Sequence, residues 1–260
     1  MHCALTIAGS DPTGGAGIQA DLKTFAAMGV YGLSVITSLT AQNASGVQAI
    51  HPVPAAFIRY QIQSLLADFR IRALKIGMVY QINAIIEVAE IIREHQLKNL
   101  VMDPIFAASA GGSLLQEEGI EILREELIPM ATLVTPNLDE AGVLSGLEVK
   151  DLDGMKEAAR RIHRMGPAYV LIKGGHLKGD VQDLLFDGHT DLVIPMERTP
   201  KEVRGTGCTL SAAITAGLAR GLNISKAVLE AQAYTQRVIR DAFSLGKGPH
   251  YPEHFARDVQ

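Results

Sequence analysis

The chain has 260 residues, of which 47% are hydrophobic, and its formal net charge at pH 7 is −4. This length and apolar content are enough for a large folded core, so the composition excludes a mainly disordered chain. The sequence has no basic surplus and no cluster of Lys and Arg that could follow a phosphodiester backbone, which argues against a nucleic-acid partner.

The cysteine content and the N-terminal residues indicate the cellular compartment in which the protein is expected. Cys3 and Cys208 are the two cysteines, and they form neither a CxxC pair nor a set with the spacing of metal ligands. Such sparse use of cysteine is typical of a reducing compartment, so we expect a cytoplasmic protein. The first apolar run, residues 4–8, reaches Gly9 after only a few residues. We therefore predict neither a targeting segment nor a membrane span.

Short β-rich runs alternate with amphipathic helical runs along the chain. The predicted strands are residues 4–8, 33–39, 73–76, 100–102, 133–134, 170–172, 184–186 and 192–194, and the predicted helices are residues 17–28, 55–69, 84–95, 119–127, 139–144, 152–165 and 211–219. This order is typical of a mostly parallel sheet covered by helices on both faces. Asp187-Gly188 predicts an antiparallel hairpin at one edge. Because no repeat or flexible linker is visible, we predict a single domain over residues 1–260.

In such a sheet, ligand sites gather where strands end and helices begin. The glycine-rich segment from Gly9 to Gly17 follows the first predicted strand, but it lacks the GxGxxG spacing, and no acidic residue closes the second strand. A dinucleotide-binding protein is therefore disfavoured. The loop could admit a flat polar molecule, with Asp21 available for a hydrogen bond, or it could be a solvated loop beside a surface carboxylate.

The next two strand ends carry Gln42 and Met78. Gln42 offers both a donor and an acceptor, which suits a heteroaromatic ring with neighbouring N and NH₂ groups, although an amide here also fits ordinary loop architecture. Met78 could contact a ring or fill the core.

Oxygen ligands follow at two further strand ends, as Asp103, Asn137 and Glu140. Mg²⁺ prefers such hard ligands, often reached through water. Asn137 and Glu140 also fit a helix cap with an acidic first turn, and the two interpretations are compatible. Lys173, followed by Gly174, comes after another strand and could meet a phosphate.

The motif Gly205-Thr206-Gly207-Cys208 opens into the small residues of the last predicted helix. Glycine lets the backbone approach a ligand, and a helix start attracts anions; we expect phosphate because Thr206 adds a hydroxyl donor. The same field can lower the pKa of the Cys208 thiol and make it a base beside a phosphate-transfer site. The alternative is a tight packing connection with an inert cysteine. Together with the oxygen ligands and the first loop, the motif predicts metal-assisted phosphoryl transfer without a Walker sequence.

These motifs together resemble the hydroxymethylpyrimidine/phosphomethylpyrimidine kinases of thiamine biosynthesis, which belong to the ribokinase-like superfamily. The matching segments are residues 9–11, 14–21, 40–43, 135–137, 140–141, 173–176 and 205–211. The resemblance implies a three-layer α/β/α fold with a mostly parallel central sheet and no separate lid domain. It also implies a homodimer that uses ATP and Mg²⁺ and binds a small aminopyrimidine.

The resemblance further implies a role for each matching residue. Gln42 would hydrogen-bond the aminopyrimidine, in a pocket lined by Gly9, Asp21 and Met78. Cys208 would face the acceptor oxygen, with Gly205 and Gly207 at the reaction centre. Lys173 and the amides of residues 205–207, Thr206 included, would hold the ATP phosphates, with Gly174 and Asn137 in the same nucleotide site. Asp103, Asn137 and Glu140 would organise Mg²⁺.

Two positions depart from the pattern. Many members have lysine where this chain has Ser109 and histidine where it has Arg204, which implies the loss of one phosphate contact and the gain of another. A pyridoxal kinase is the alternative enzyme, because its substrate is a similar flat hydroxymethyl heterocycle. A non-catalytic pyrimidine-phosphate sensor is the alternative of a different class.

Overall fold

The structure is a computed structural model, and it describes residues 1–44, 46–106, 115, 117–175, 177, 179–245 and 248–255. The strands in this part of the chain are β1 (Cys3–Ser10), β2 (Tyr31–Asn43), β3 (Gly46–Pro52), β4 (Ile71–Ile76), β5 (Leu100–Met102), β6 (Leu133–Val134), β7 (Tyr169–Ile172), β8 (Gln182–Phe186) and β9 (Asp191–Pro195). The helices are α1 (Gly17–Ala27), α2 (Ala55–Leu66), α3 (Ile82–Glu94), α4 (Glu117–Glu126), α5 (Leu138–Ser145), α6 (Leu152–His163), α7 (Thr206–Ala219) and α8 (Ile224–Arg240).

The strands form one sheet in the order β3-β2-β1-β4-β5-β6-β7-β8-β9. The strands from β2 to β7 in this order pair in parallel, whereas β3 at one edge and β8 and β9 at the other pair antiparallel. The predicted hairpin is confirmed as β8–β9, and the Asp187 carboxylate accepts hydrogen bonds from the amides of His189 and Thr190 in its turn. The parallel arrangement brings the carboxyl ends of the central strands to one edge of the sheet.

Helices cover both faces of this sheet. Residues 4–9 of β1 are all buried, as is typical of a strand packed on both sides. Alternate residues of the strands contribute to two separate hydrophobic clusters, one shared with α2 to α6 and the other shared with α1, α7 and α8. The predicted three-layer α/β/α architecture is confirmed.

Helix α7 is buried on almost all sides. Its residues from Cys208 to Ala219 are buried, and most of them are small. A methyl group on Gly217 would lie 3.0 Å from the Ala227 side chain of α8, so the small residues allow the two helices to approach closely. A helix enclosed in this way is fixed in position, and its N-terminus lies at the edge where the central strands end.

Several bounds differ from the predicted ones, and three differences concern whole elements or the start of α7. Helix α7 begins at Thr206, whereas the sequence predicted its start at residue 211, because Gly205 adopts a left-handed conformation that lets the helix follow at once. The strand β3 and the helix α8 were not predicted.

Among the helices of the described residues, none combines the length and the apolarity that a membrane crossing requires.

Candidate active site

The start of α7 has the form of an anion site. Gly205 has φ +72°, and a side chain on it would overlap the backbone of Gly15, so the position requires glycine. The first intrahelical hydrogen bond runs from the Thr209 amide to the Gly205 carbonyl, at 2.9 Å. The amides of Thr206, Gly207 and Cys208 precede this bond, and no side chain of the described residues caps them. These amides and the helix dipole together favour a bound phosphate.

Lys173, at the end of β7, reaches the same helix start. Its Nζ lies 2.9 Å from Asp103 Oδ1 and 3.9 Å from Glu140 Oε2. A Cβ atom added to Gly207 would lie 3.2 Å from this Nζ and 3.7 Å from Asp103 Oδ2. The Lys173 side chain keeps 16% exposure. The structure thus brings four of the predicted site residues together around the first turn of α7.

Asp103 is held by donors of the protein. Besides Lys173, the Thr135 hydroxyl lies 3.1 Å from Oδ1 and the Ser211 hydroxyl 3.3 Å from Oδ2. Burial acts to raise the pKa of Asp103, but the charges of Lys173 and Lys75 outweigh it and hold the pKa below its ordinary value. Asp103 is therefore a carboxylate that fixes Lys173 and neutralises part of its charge.

Asn137 and Glu140 form a capping box at the start of α5. The Glu140 amide donates to Asn137 Oδ1 and the Asn137 amide donates to Glu140 Oε2, both at 2.8 Å. The helix-cap interpretation of these residues is confirmed. Burial raises the pKa of Glu140 to about 7 despite the opposing charge of Lys173.

The backbone amide of Gly174 is already hydrogen-bonded within the protein. The Gly174 N–H donates to Asp183 Oδ1 at 2.8 Å, and a Cβ atom would overlap the Gln182 carbonyl. Asp183 is buried and also accepts a hydrogen bond from Gln232 Nε2 at 2.9 Å. This contact directs the Gly174 amide into the protein, so its part in the site is to fix the turn that presents Lys173.

Cys208 lies in the first turn of α7 beside polar groups. The residue is 8% exposed, and its thiol lies near the charges of Lys75, Asp21 and Asp103. Burial raises the pKa of Cys208 to about 11, although Lys75 acts in the opposite direction. The predicted lowering of its pKa is wrong, because the cost of burying a thiolate exceeds the effect of the helix start.

Asp21 contacts no solvent. The Thr6 hydroxyl donates to Oδ2 at 2.6 Å, and Lys75 Nζ lies 2.5 Å from Oδ1, with both charged side chains fully buried. Burial acts to lower the pKa of Lys75, but the charge of Asp21 holds it above its ordinary value. Burial raises the pKa of Asp21, and the charge of Lys75 opposes that shift. Both Asp21 oxygens are thus used inside the protein, and the carboxylate joins α1, β1 and β4 below Cys208 rather than pointing into a ligand pocket.

The other residues predicted to line an acceptor pocket occupy one end of the sheet. A Cβ atom on Gly9 would lie 2.5 Å from Met78 Cε and would also approach Ser38, so the bare backbone of Gly9 makes room for the Met78 side chain. Gly17, at the start of α1, has φ +58°, and a Cβ atom on it would lie 2.4 Å from the Gly9 carbonyl oxygen. Gln42 is half-buried near the end of β2.

Asp11 and Arg204 contribute contacts that sequence reasoning missed. The Asp11 carboxylate accepts the amides of Thr13 and Ala16, each at 2.9 Å, and so organises the first loop. Arg204 Nε lies 3.6 Å from Asp11 Oδ2. The Asp-Pro-Thr-Gly order after β1 is a recognisable turn signal, but nothing local links Asp11 to a residue so far along the chain. Ser109 and His176 lie outside the described residues.

The oxygen ligands fit Mg²⁺ as a partial site. Within the described part of the chain, no cluster of three or more Asp, Glu, His or Cys side chains could hold a metal alone. Asp103 Oδ1 accepts hydrogen bonds from Thr135 and Lys173, and its Oδ2 lies 3.3 Å from the Ser211 hydroxyl, whereas every hydrogen bond described for the Glu140 carboxyl group ends on Oε2. The other Glu140 oxygen would be the one to face the hydration shell of a bound Mg²⁺.

Comparison with known proteins is consistent with this geometry. The profile of the phosphomethylpyrimidine kinase family matches residues 11–254. The chain is 46% identical to the hydroxymethylpyrimidine/phosphomethylpyrimidine kinase of Rhizobium meliloti, over 98% of this chain and 97% of that protein. It is 43% identical to the pyridoxine kinase of Bacillus subtilis, over 95% and 93%. It matches a thiamine biosynthesis bifunctional protein of Geobacter sulfurreducens at 43% identity but spans only 53% of that protein's length.

Solved structures show the same fold. The ADP complex of Bacillus subtilis pyridoxal kinase matches with a TM-score of 0.91 at 42% identity, over 98% of this chain and 97% of that one. The phosphomethylpyrimidine kinase of Clostridium difficile matches with a TM-score of 0.83 at 43% identity, over 92% and 100%. The predicted ribokinase-like fold is confirmed. The chain therefore belongs to the phosphomethylpyrimidine kinase family, and it is a kinase that transfers phosphoryl groups.

Proposed function

We propose that the chain phosphorylates 4-amino-5-hydroxymethyl-2-methylpyrimidine and then phosphorylates the resulting monophosphate to the diphosphate, in thiamine biosynthesis. The observation that carries the proposal is the convergence of Lys173 on the uncapped start of α7, at Gly207, with Cys208 in the same turn. The family membership and the relatives named for both activities support it.

The ATP phosphates lie, in this proposal, between Lys173 and the amides of Thr206, Gly207 and Cys208. Phosphoryl transfer has a loose transition state whose charge is spread over the phosphate oxygens, so fixed donors and cations supply most of the catalysis. Asp103 and the Gly174 turn hold the ammonium group of Lys173 in place before ATP arrives. The Gly207 position must stay bare because a methyl group would occupy the space beside Lys173 Nζ.

Mg²⁺ would neutralise phosphate charge when bound. Glu140 is the residue that would hold the hydration shell of Mg²⁺. Asp103 would contact the ion only indirectly, through Lys173 and water. Since burial raises the pKa of Glu140 to about 7, the carboxylate form that attracts a cation is lost as the pH falls below neutrality. Raising the Mg²⁺ concentration should therefore move the acid limb of the activity profile to lower pH, whereas a fixed limb would show that Glu140 does not serve the cation.

The acceptor binds on the other side of Cys208, between Gln42 and the Gly9–Met78 contact. With a pKa of about 11, the thiol is neutral at pH 7 and holds its own proton, so its role is to contact the acceptor oxygen without adding charge. A neutral contact suits both an alcohol and a phosphate as acceptor.

An ATP-consumption assay tests this function. The enzyme is supplied separately with the aminopyrimidine alcohol, its monophosphate and pyridoxal, each with Mg²⁺ and ATP. We expect turnover with the first two and a lower kcat/KM with pyridoxal. No turnover with any acceptor, together with tight binding of the monophosphate, would identify a sensor and overturn the proposal.

Pyridoxal kinase is the second candidate function. The 43% identity to a pyridoxine kinase and the TM-score of 0.91 with a pyridoxal kinase favour it. A higher kcat/KM with pyridoxal than with the aminopyrimidine alcohol in the same assay would establish it as the main activity.

We also propose that the chain acts as a homodimer in the cytoplasm. Phe57 and Tyr60 of α2 are 57% and 62% exposed, which is unusual for large apolar side chains unless a partner covers them. Light scattering should give twice the mass of one chain, and the mass of a single chain at working concentration would contradict the dimer.

A further inference from the structure

Arg204 lies between the two loops that border the start of α7. Its Nε is 3.6 Å from Asp11 Oδ2 in the loop after β1, and its Nη1 donates to the carbonyl oxygen of Asn43 at 3.1 Å. Only 11% of the side chain is exposed. Because a guanidinium group has several donors in a rigid plane, one side chain can hold both loops at a fixed separation.

The Asp11 side of this contact is rigid. The Asp11 carboxylate accepts the amides of Thr13 and Ala16, and the Asp11 amide donates to Gln19 of α1. Gly15, within this loop, packs directly against Gly205. Asp11 therefore presents a fixed negative charge beside Arg204, and it determines where the guanidinium lies.

The Asn43 side is the end of the β2–β3 hairpin, at the edge of the sheet. The register of this hairpin shifts between Ala41 and Gln42, and the residues of β3 are all partly or fully exposed. The side chains of β3 thus lie outside the buried core, and hydrogen bonds such as those of Thr40 to the Ser10 carbonyl and of Arg204 to the Asn43 carbonyl hold the hairpin end. Arg204 donates its hydrogen bond to the carbonyl of Asn43, the residue after Gln42. This contact therefore helps to fix the backbone that positions the Gln42 side chain.

We propose that Arg204 is a positioning residue for the acceptor: it fixes the backbone beside Gln42 relative to Asp11 and Gly205, and so couples recognition of the aminopyrimidine ring to the phosphate site. This inference rests on the proposed function, because it assigns Gln42 to the acceptor ring. It differs from a direct contact between Arg204 and a phosphate, since Gln42 would meet the ring that both acceptors share.

Two variants and a control test the proposal. Arg204→Met keeps the stem of the side chain and removes its donors, Arg204→Lys keeps one charged donor, and Arg220→Met removes a surface arginine paired with Glu230 at the far end of α7. For Arg204→Met we expect the KM for the alcohol and for the monophosphate to rise by similar factors of about tenfold, the loss typical of a hydrogen bond to a charged group. The KM for ATP should change by less than about twofold. Arg204→Lys should be intermediate, and Arg220→Met should match the wild type.

Hydrogen exchange gives a readout that does not depend on turnover. Amides of residues 40–44 and 46–52 should exchange faster in Arg204→Met than in the wild type and in Arg220→Met, while those of β1 should not change. A KM rise confined to the monophosphate would indicate a direct phosphate contact, and an equal rise for ATP would indicate damage to the helix start; either result overturns the proposal. If the wild type turns over neither acceptor, the proposed function fails, but unchanged exchange in Arg204→Met would still refute the positioning role by itself.

Discussion

Cys208 occupies a position where a charged group would act differently on the two acceptors. The buried thiol is neutral because its pKa is raised to about 11. A carboxylate there would repel an acceptor that already carries a phosphate, but it would suit the deprotonation of an alcohol.

Cys208→Asp should therefore lower kcat/KM for the monophosphate at least about tenfold more than for the alcohol, which corresponds to about 1.4 kcal/mol of transition-state free energy. Cys208→Ser is the matched neutral control, and we expect it to lower both values by similar factors. Steady-state kinetics with each acceptor gives the comparison. Equal losses in the aspartate variant would show that charge at this position does not discriminate between the acceptors.

Glu140 is predicted to make folding stability depend on pH. Burial raises its pKa from 4.5 to about 7, so between these values the folded state binds more protons at this group than the unfolded state does. The contribution of Glu140 to the free energy of unfolding must then decrease as the pH rises through this window.

Glu140→Gln removes the ionisation and keeps an acceptor for the Asn137 amide. The free energy of unfolding of the variant minus that of the wild type should increase between about pH 4.5 and about pH 7. Urea denaturation at a series of pH values measures this difference. A difference that stays constant across the window would contradict the raised pKa.

At the scale of elements, one substitution in the first turn of α7 should change activity and stability in opposite directions. Gly207→Ala should improve helix propensity by about 1 kcal/mol, yet its methyl group would lie 3.2 Å from Lys173 Nζ, where the phosphate is proposed to bind. We expect kcat/KM to fall at least about tenfold with an unchanged or higher melting temperature.

Gly217→Ala, in the same helix, is the matched contrast. Its methyl group would lie 3.0 Å from Ala227 and 3.2 Å from the Ala227 backbone, so it should lower the melting temperature by pushing α8 away. Activity of the folded protein should persist. If both variants lose stability and activity in parallel, the bare Gly207 position has no special link to phosphate.

The buried ion pair of Asp21 and Lys75 joins α1 to β4, with Thr6 of β1 as a further donor. Lys75→Met alone leaves a buried carboxylate without its cation and should cost about 3–5 kcal/mol of unfolding free energy. The double variant Asp21→Asn/Lys75→Met should recover part of this loss. Chemical denaturation measures both, and a double variant that recovers none of the loss would show that the pair is not energetically coupled.

At the scale of the whole molecule, periodicity was sufficient to predict the layers and the edge where the site lies. The parallel strands are mostly apolar, with one threonine in residues 4–8 of β1 and one lysine in residues 73–76 of β4. The helices between them are amphipathic, so the order of elements followed from local patterns. The strand β3 lacks that signal because it is an exposed edge strand with few buried side chains. The helix α8, in contrast, carries a local signal: Asn223 caps it, and apolar residues follow at helical spacing.

The candidate site was less predictable than the fold. Lys173, Asp103, Glu140 and Gly207 could be placed at one edge because each follows a strand or starts a helix. The burial of Asp21 and its ion pair could not be predicted from the sequence. Its partner Lys75 is far along the chain, on β4, and only the tertiary structure buries both side chains. The pKa of Cys208 was mispredicted for a related reason: a helix start is visible in a sequence, but the degree of burial is not.

The most direct test of the central claim is a ³¹P NMR time course of the enzyme with Mg²⁺, ATP and the aminopyrimidine alcohol, run alongside the Gly207→Ala variant. We expect a pyrimidine monophosphate resonance to appear first and then to be replaced by the two coupled resonances of the diphosphate, with both steps slowed in the variant. A reaction that yields no pyrimidine phosphate, or one that proceeds at the wild-type rate with the alanine methyl group in place, would contradict the claim that α7 and Lys173 hold the transferred phosphoryl group.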